Sequence, residues 1–136
     1  MCSLRIATYN VNSIRSRLHI VIPWLREQKP DCLCMQETKV EDGSFPAGDF
    51  QAEGYQVIFR GERQYNGVAI ASRAKPESVR YGLGDDGPAD EDRLIAAVIH
   101  GIPVVNTYVP QGRDRETTHF AYKLGWFERL RKFFAR

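Results

Sequence analysis

Apolar and polar residues alternate through LRIATYNV, residues 4–11, and the β-branched and aromatic content of that stretch predicts a strand ending at a polar turn. Beyond the turn, Ile14, Leu18, Val21, Ile22 and Leu25 recur at helical spacing. They predict a helix over Ile14–Gln28, with Ser13 as its N-cap and Lys29-Pro30 after its end. Pro23 lies inside that helix and should kink it. The continuous apolar run in DCLCMQE, residues 31–37, then predicts a second strand covered on both faces. That run stops at a carboxylate. Burying an ionised carboxylate without a partner costs several kcal/mol, so Glu37 is expected at the strand's exit, where a cation can meet it.

Strand, helix, strand is the pattern of a crossover unit, in which the two strands run parallel. Asn10, Asn12 and Glu37 then share one sheet edge, the edge beyond which open α/β sheets bind their ligands. Downstream, FPAGDFQAEGYQVIF predicts a short helix and a strand, and NGVAIAS a strand after a turn at Asn66 and Gly67. KPESVRYGL adds a short strand. GDDGPADEDR is a polar loop, followed by the strands LIAAVIH and PVVNTYV with Gly101-Ile102 as a tight hairpin turn between them. From about Glu116 to Arg136 the pattern is helical, with Phe120, Leu124, Phe127, Leu130, Phe133 and Phe134 along an apolar side. So many strands with so few helices leave one sheet face in need of a cover, and that face is expected to drive self-association or to take a second chain.

Composition narrows the class. With 136 residues, 43% hydrophobic and 26% charged, the chain is long enough for a single domain with a real core. No stretch approaches the roughly 20 apolar residues of a membrane helix, so a soluble protein with no membrane partner is expected. The start, MCSLRIATYN, does not read as a signal peptide. Cys32 and Cys34 lie two apart on one face of a strand and Cys2 lies near the terminus. Reduced core thiols, rather than disulfides or a zinc site, and a cytoplasmic location are the expectation. A net charge of +2 does not by itself announce a nucleic-acid partner. Arg5, Arg15, Arg17, Lys39, Arg60, Arg63, Arg113 and Arg115 fall near strand ends and loops, where they either face a shared phosphate backbone or are simply solvated.

Four stretches gather the chemistry: YNVNSIRSRL at 9–18, QETK at 36–39, NGVAIAS at 66–72 and YVPQG at 108–112. Singly, each has a plain structural account. Asn10 and Asn12 can cap a turn, Glu37 can pair with a cation, and Tyr108 can be a core aromatic with a satisfied hydroxyl. Jointly, at predicted strand exits, they point to a site.

These stretches, with PDCLCMQETK, GYQVIF, DEDRLIAA and VVNTYVPQG in the same order, resemble the amino-terminal half of the exonuclease III family of abasic-site DNA endonucleases, within the endonuclease, exonuclease and phosphatase superfamily. The resemblance implies an α/β fold. The chain would be one domain, half of a four-layer α/β/β/α sandwich of the DNase I type, with a mixed sheet flanked by helices. It implies that Glu37 holds a divalent ion, magnesium or alternatively manganese, with Asn10 in the same network and Asn12 beside it. Tyr108 is then the active-site tyrosine, and Lys39, Gln111 and Gly112 belong to the substrate-binding surface. One carboxylate is a reasonable protein share for magnesium, which keeps several waters. The implied partner is DNA, as an abasic-site duplex or a 3′ end, and the implied reaction is phosphodiester hydrolysis in base excision repair.

Two family stretches have no counterpart after Gly112: the Asp-x-Asn whose aspartate activates water, and the Ser-Asp-His whose histidine contacts the phosphate. His19, His100 and His119 read as surface or helix residues. Asp92 stands before Arg93 where many relatives have glycine. The chain alone is therefore expected to be incomplete as a catalyst. A superfamily phosphatase acting on inositol phosphates or phospholipid head groups, and a noncatalytic DNA-binding or assembly module, are the alternative readings.

Overall fold

The structure, a computed structural model, describes residues 3–89 and 91–136, so Cys2 lies outside the described residues. The chain order is β1 (Ile6–Asn10), α1 (Ile14–Gln28), β2 (Cys32–Gln36), α2 (Ala47–Ala52), β3 (Gln56–Arg60), β4 (Val68–Ser72), β5 (Glu77–Tyr81), β6 (Leu94–Ile99), β7 (Ile102–Thr107) and α3 (Thr118–Phe134). Ser13 caps α1 by accepting the Ser16 amide, and left-handed Lys29 closes it with its N–H on Leu25 O. α1 runs unbroken through Pro23, which is exposed.

The strands form two sheets, β1-β2-β4-β3 and β5-β6-β7. β1 and β2 are parallel, with Asn10 opposite Gln36, and the other pairs are antiparallel. Period-two alternation explains the layers. In β2, Leu33 and Met35 face α1 and α2, packing with Ile14, Val21, Leu25 and Phe50. Cys32 and Cys34 face the other way, into a second core with Val68 and Ile70 of the same sheet and Ile95, Ala97, Ile99 and Val104 of the other. On the far side of that second sheet, Trp126 and Phe133 of α3 cover Leu83, Leu94 and Ala96. The layers are helix, sheet, sheet, helix, and both cysteines are free and buried.

Three expectations need correction. The expected bare face is mostly covered among the described residues, because the two sheets pack on one another, with α1 and α2 on one outer side and α3 on the other, although β1 stays largely exposed. Open edges remain as well: among the described residues β1, β3, β5 and β7 are each paired on one side only, and Ile6 of β1 and Ile102 of β7 are exposed. The β6–β7 turn is His100-Gly101, one residue earlier than expected, with φ of 51° and 75°. A two-residue turn of this kind needs positive φ at both central positions, which a β-branched Ile102 resists, so Ile102 pairs with Ile99. Finally, α3 meets its sheet through Trp126, Leu130 and Phe133, while Leu124, Phe127 and Phe134 are exposed. Positions i, i+4 and i+7 make one contact stripe, and the aromatic residues outside it cannot reach the sheet.

The polar loop at 82–89 is tied to α3. Arg129 donates to both Asp85 carboxylate oxygens at 2.9 and 2.8 Å and to Pro88 O at 2.7 Å, and Arg136 donates to Leu83 O and Gly84 O. The guanidinium holds the Asp85 carboxyl down at about 2. A depressed carboxyl pKa contributes stability that is present above the unfolded value, roughly 4, and is lost as pH falls toward about 2. The pair is solvent-screened, so the contribution is under about 1 kcal/mol. Acid unfolding of Asp85→Asn should accordingly match the native chain below that window and lie slightly under it at neutral pH. Among the described residues, no helix is long and apolar enough to cross a membrane.

Candidate active site

The core between the sheets changes character along its length. It is apolar through Cys34, Ile70, Ala97 and Val104, then turns neutral and polar at Thr8, Gln36 and Asn106. Gln36 Nε2 donates to Thr8 Oγ1 at 2.9 Å and to Asn106 Oδ1 at 2.7 Å. One step further, at the exits of β1, β2 and β7, it becomes charged.

Glu37 is positioned there by its backbone. Val11, Ser13 and Ile14 donate to Gln36 O, Glu37 O and Thr38 O, extending the β1–β2 pairing beyond the strands. From the other side, Thr38 and Lys39 donate to Gly67 O and Asn66 O, and Gly67 donates to Asp92 O. Glu37, Lys39, Asn12, Ser13, Asn66 and Asp92 all have positive φ, between 45° and 83°. Left-handed backbone costs non-glycine residues free energy, and its concentration at one spot marks where the fold is held against local preference. Asp92, which shares this left-handed backbone, is held by an ion pair to Arg60 at 2.7 Å.

The side chains converge. Asn10 Nδ2 donates to Glu37 Oε1 at 2.8 Å, and Asn10 Oδ1 accepts the Asn12 amide at 3.1 Å. Lys39 Nζ donates to Asn12 Oδ1 at 2.6 Å and lies 3.4 Å from Glu37 Oε2. The Tyr108 phenol, at the end of β7 in the other sheet, completes the set and interacts with the Glu37 carboxylate. Burial pushes the Glu37 carboxyl up, but the hydrogen bonds from Asn10, Lys39 and Tyr108 together outweigh it, so it lies below the ordinary range. Tyr108 moves the other way: burial, then the Glu37 charge, raises its phenol. At neutral pH the site therefore holds a carboxylate and a protonated phenol.

Arg93 supports Tyr108 from behind. It is 9% exposed, its guanidinium lies 4.8 Å from the Tyr108 ring centre, and its carbonyl accepts the Tyr108 amide at 2.7 Å. Beside Tyr108 opens a polar recess of about 680 Å³, lined among others by Asn66, Arg93, Gln111, Arg113 and Tyr122. Gln111 is exposed at this recess, whereas Gly112 is buried, where a Cβ would meet Phe120 and Lys123 of α3 at 3.2 and 3.0 Å.

Of the basic residues expected to share a face, Arg15, Arg17, Arg63, Arg113 and Arg115 lie at this end of the fold, beyond the exits of β1, β3 and β7. Arg5 does not. It sits at the entrance of β1 and is bound to Asp31 and to Gln28 O. His19, His100 and His119 are all exposed. Sequence reasoning passed over Asn106 and Arg93. The signal for Asn106 was available: an amide at an inward position of an otherwise apolar strand, two residues before Tyr108.

Among the described residues, no three His, Cys, Asp or Glu side chains converge as a metal site. The donor set of one carboxylate with amides beside it fits a hard cation that keeps most of its water, and does not fit zinc.

A model of the endonuclease/exonuclease/phosphatase family matches residues 7–135. An AP endonuclease from Archaeoglobus fulgidus is 61% identical and superimposes with a TM-score of 0.93, over 96% of this chain and 51% of its own. The 3′ phosphatase NExo from Neisseria, solved with a product DNA hairpin, is 38% identical with a TM-score of 0.93 over the same shares. An exodeoxyribonuclease of Bacillus subtilis is 30% identical over 131 residues, 93% of this chain and 50% of that protein. The chain thus spans about half the length of the relatives it matches.

Proposed function

This chain belongs to the endonuclease/exonuclease/phosphatase family, and from that premise we propose that it forms the metal- and phosphate-holding part of a magnesium-dependent phosphodiesterase acting on DNA, of the exonuclease III and abasic-site endonuclease kind that serves base excision repair. The observation that carries the reading is the meeting of Glu37, Asn10 and Lys39 with Tyr108, from two different sheets, at one end of the fold. Lys39 and the protonated Tyr108 hydroxyl are the donors toward a phosphate's non-bridging oxygens, where charge grows during displacement. Asn10 fixes the carboxylate of Glu37, and Asn12 keeps Lys39 aimed. Glu37, with Asn10 beside it, would hold a magnesium ion, which would supply charge neutralisation on the phosphate and stabilisation of the leaving oxygen. Gln111 and the exposed Arg113 and Arg115 serve the neighbouring backbone, and the course of their loop is set by Gly112 packed under α3. The buried thiols Cys32 and Cys34 accord with a cytoplasmic setting.

Glu37 is the one acid among these residues, and it is already committed to its three donors. A water-activating base is therefore not among them, and this polypeptide on its own is expected to bind DNA without cutting it. The test follows a duplex carrying one abasic site, with magnesium and with chelator, for this chain and for Glu37→Ala, recording binding across salt concentration as well as incision. Salt-dependent binding without incision is the expected result. No binding even at low salt would overturn the DNA reading. Magnesium-dependent incision that disappears in Glu37→Ala would keep the DNA reading and overturn the division of labour.

A further inference from the structure

Glu37 and Tyr108 belong to different sheets, and apolar packing fixes the sliding of two sheets less sharply than a directional bond does, while the backbone link at this end, from the Gly67 amide to Asp92 O, lies in loops. Burial between Cys32, Cys34, Val68 and Ile70 on one side and Ile95, Ala97, Ile99 and Val104 on the other is non-directional. A shift of a fraction of a strand residue keeps that contact and separates the two functional groups. Something directional has to set the register.

We infer that Asn106 is the positioning residue that sets the Glu37–Tyr108 distance by bolting β7 to the middle of the other sheet. Asn106 is 2% exposed. Its Nδ2 donates to Met35 O of β2 at 2.9 Å and to Ala69 O of β4 at 2.8 Å, and its Oδ1 accepts from Gln36 Nε2 at 2.7 Å. Met35 and Ala69 are opposite each other in the β2–β4 ladder, so a single amide straddles both strands. The lever arms are short and equal. Asn106 stands two residues before Tyr108 on the inward face of β7, and Met35 stands two residues before Glu37. A displacement at the bolt is therefore passed to both groups about 7 Å further on, at the rise of a strand. Buried polar groups of this kind specify one arrangement where apolar contact would accept several. The role is geometric and holds whatever the substrate.

The test needs a readout that lost stability alone does not move. The chain is labelled with fluorotyrosine, the Tyr108 resonance is identified by its absence in Tyr108→Phe, and spectra are taken at fixed neutral pH with chelator present. Glu37→Gln displaces that resonance in the native background because the hydroxyl loses its charged acceptor. The expected result is that the displacement vanishes in Asn106→Leu and persists in Val104→Ala, which hollows the same inter-sheet core without touching the bolt. Should Asn106→Leu fail to fold, Asn106→Ser, with one donor for two carbonyls, is expected to show a reduced displacement. A full displacement in either Asn106 variant, or its loss in Val104→Ala as well, overturns the assignment.

Discussion

Gly67→Ala should remove about 2–5 kcal/mol of folding stability, the sum of roughly 1–2 for forcing alanine into left-handed backbone and roughly 1–3 for overpacking. Gly67 has φ of +95°, and a Cβ built on it collides with Thr38 Oγ1 and lies 3.4 Å from the Lys39 amide nitrogen. Thr38 is 1% exposed and cannot swing away. Gly67 also carries the loop's anchors, since its carbonyl accepts the Thr38 amide and its N–H binds Asp92 O. Because domains are typically stable by about 5–15 kcal/mol, the variant loses a large share. Urea unfolding checks it, with Gly48→Ala as the reference, since a Cβ there meets nothing within 4 Å and should cost nothing. A loss no larger than the reference would mean that the segment from Glu37 to Lys39 is not clamped as described.

The second large effect concerns ion binding rather than stability. Glu37→Gln keeps the shape of the side chain and an oxygen for the Asn10 amide, but removes the one carboxylate at the centre of the cluster. Partners that merely orient metal ligands are worth about 10–100-fold in affinity. Loss of the ligand's own charge should therefore weaken magnesium binding by at least about tenfold. Folding stability should stay within roughly 0.5 kcal/mol of the native chain, because the site is partly exposed and Lys39 retains Asn12. Calorimetric titration with magnesium, paired with a melting curve, separates the two quantities. An unchanged affinity would take the ion away from Glu37.

The first strand, first helix and second strand were legible because their signals are local: a period of two, then of 3.6, then an apolar run ended by a charge. The parallel order that follows is what lets Asn10 and Glu37 meet, and that too could be reasoned without coordinates. The two-sheet arrangement was legible through the resemblance to a four-layer sandwich, but not from the hydrophobic pattern itself. β2, β4 and β6 are buried on both faces, so their apolar runs do not say which sheet each belongs to, and a single sheet with an empty face looked sufficient. The contact stripe of α3 was obscured for a related reason. Six apolar residues on a helix exceed what three strands can cover, and the sequence does not say which are left outside. Asn106 went unnoticed because an amide in a strand more often belongs to a solvated face than to a bridge between sheets.

The passage from apolar to neutral to charged along the space between the sheets divides the labour of the molecule by place. The cohesion that keeps the sheets together is concentrated at one end, and the groups that define chemistry at the other contribute little to it. Functional side chains at the charged end, such as Glu37, can then be exchanged at small cost to folding, while glycines such as Gly67 and the neutral layer beneath continue to hold the frame. Such a separation makes a scaffold evolvable: new ligands and new reactions can be tried at the rim without renegotiating the core.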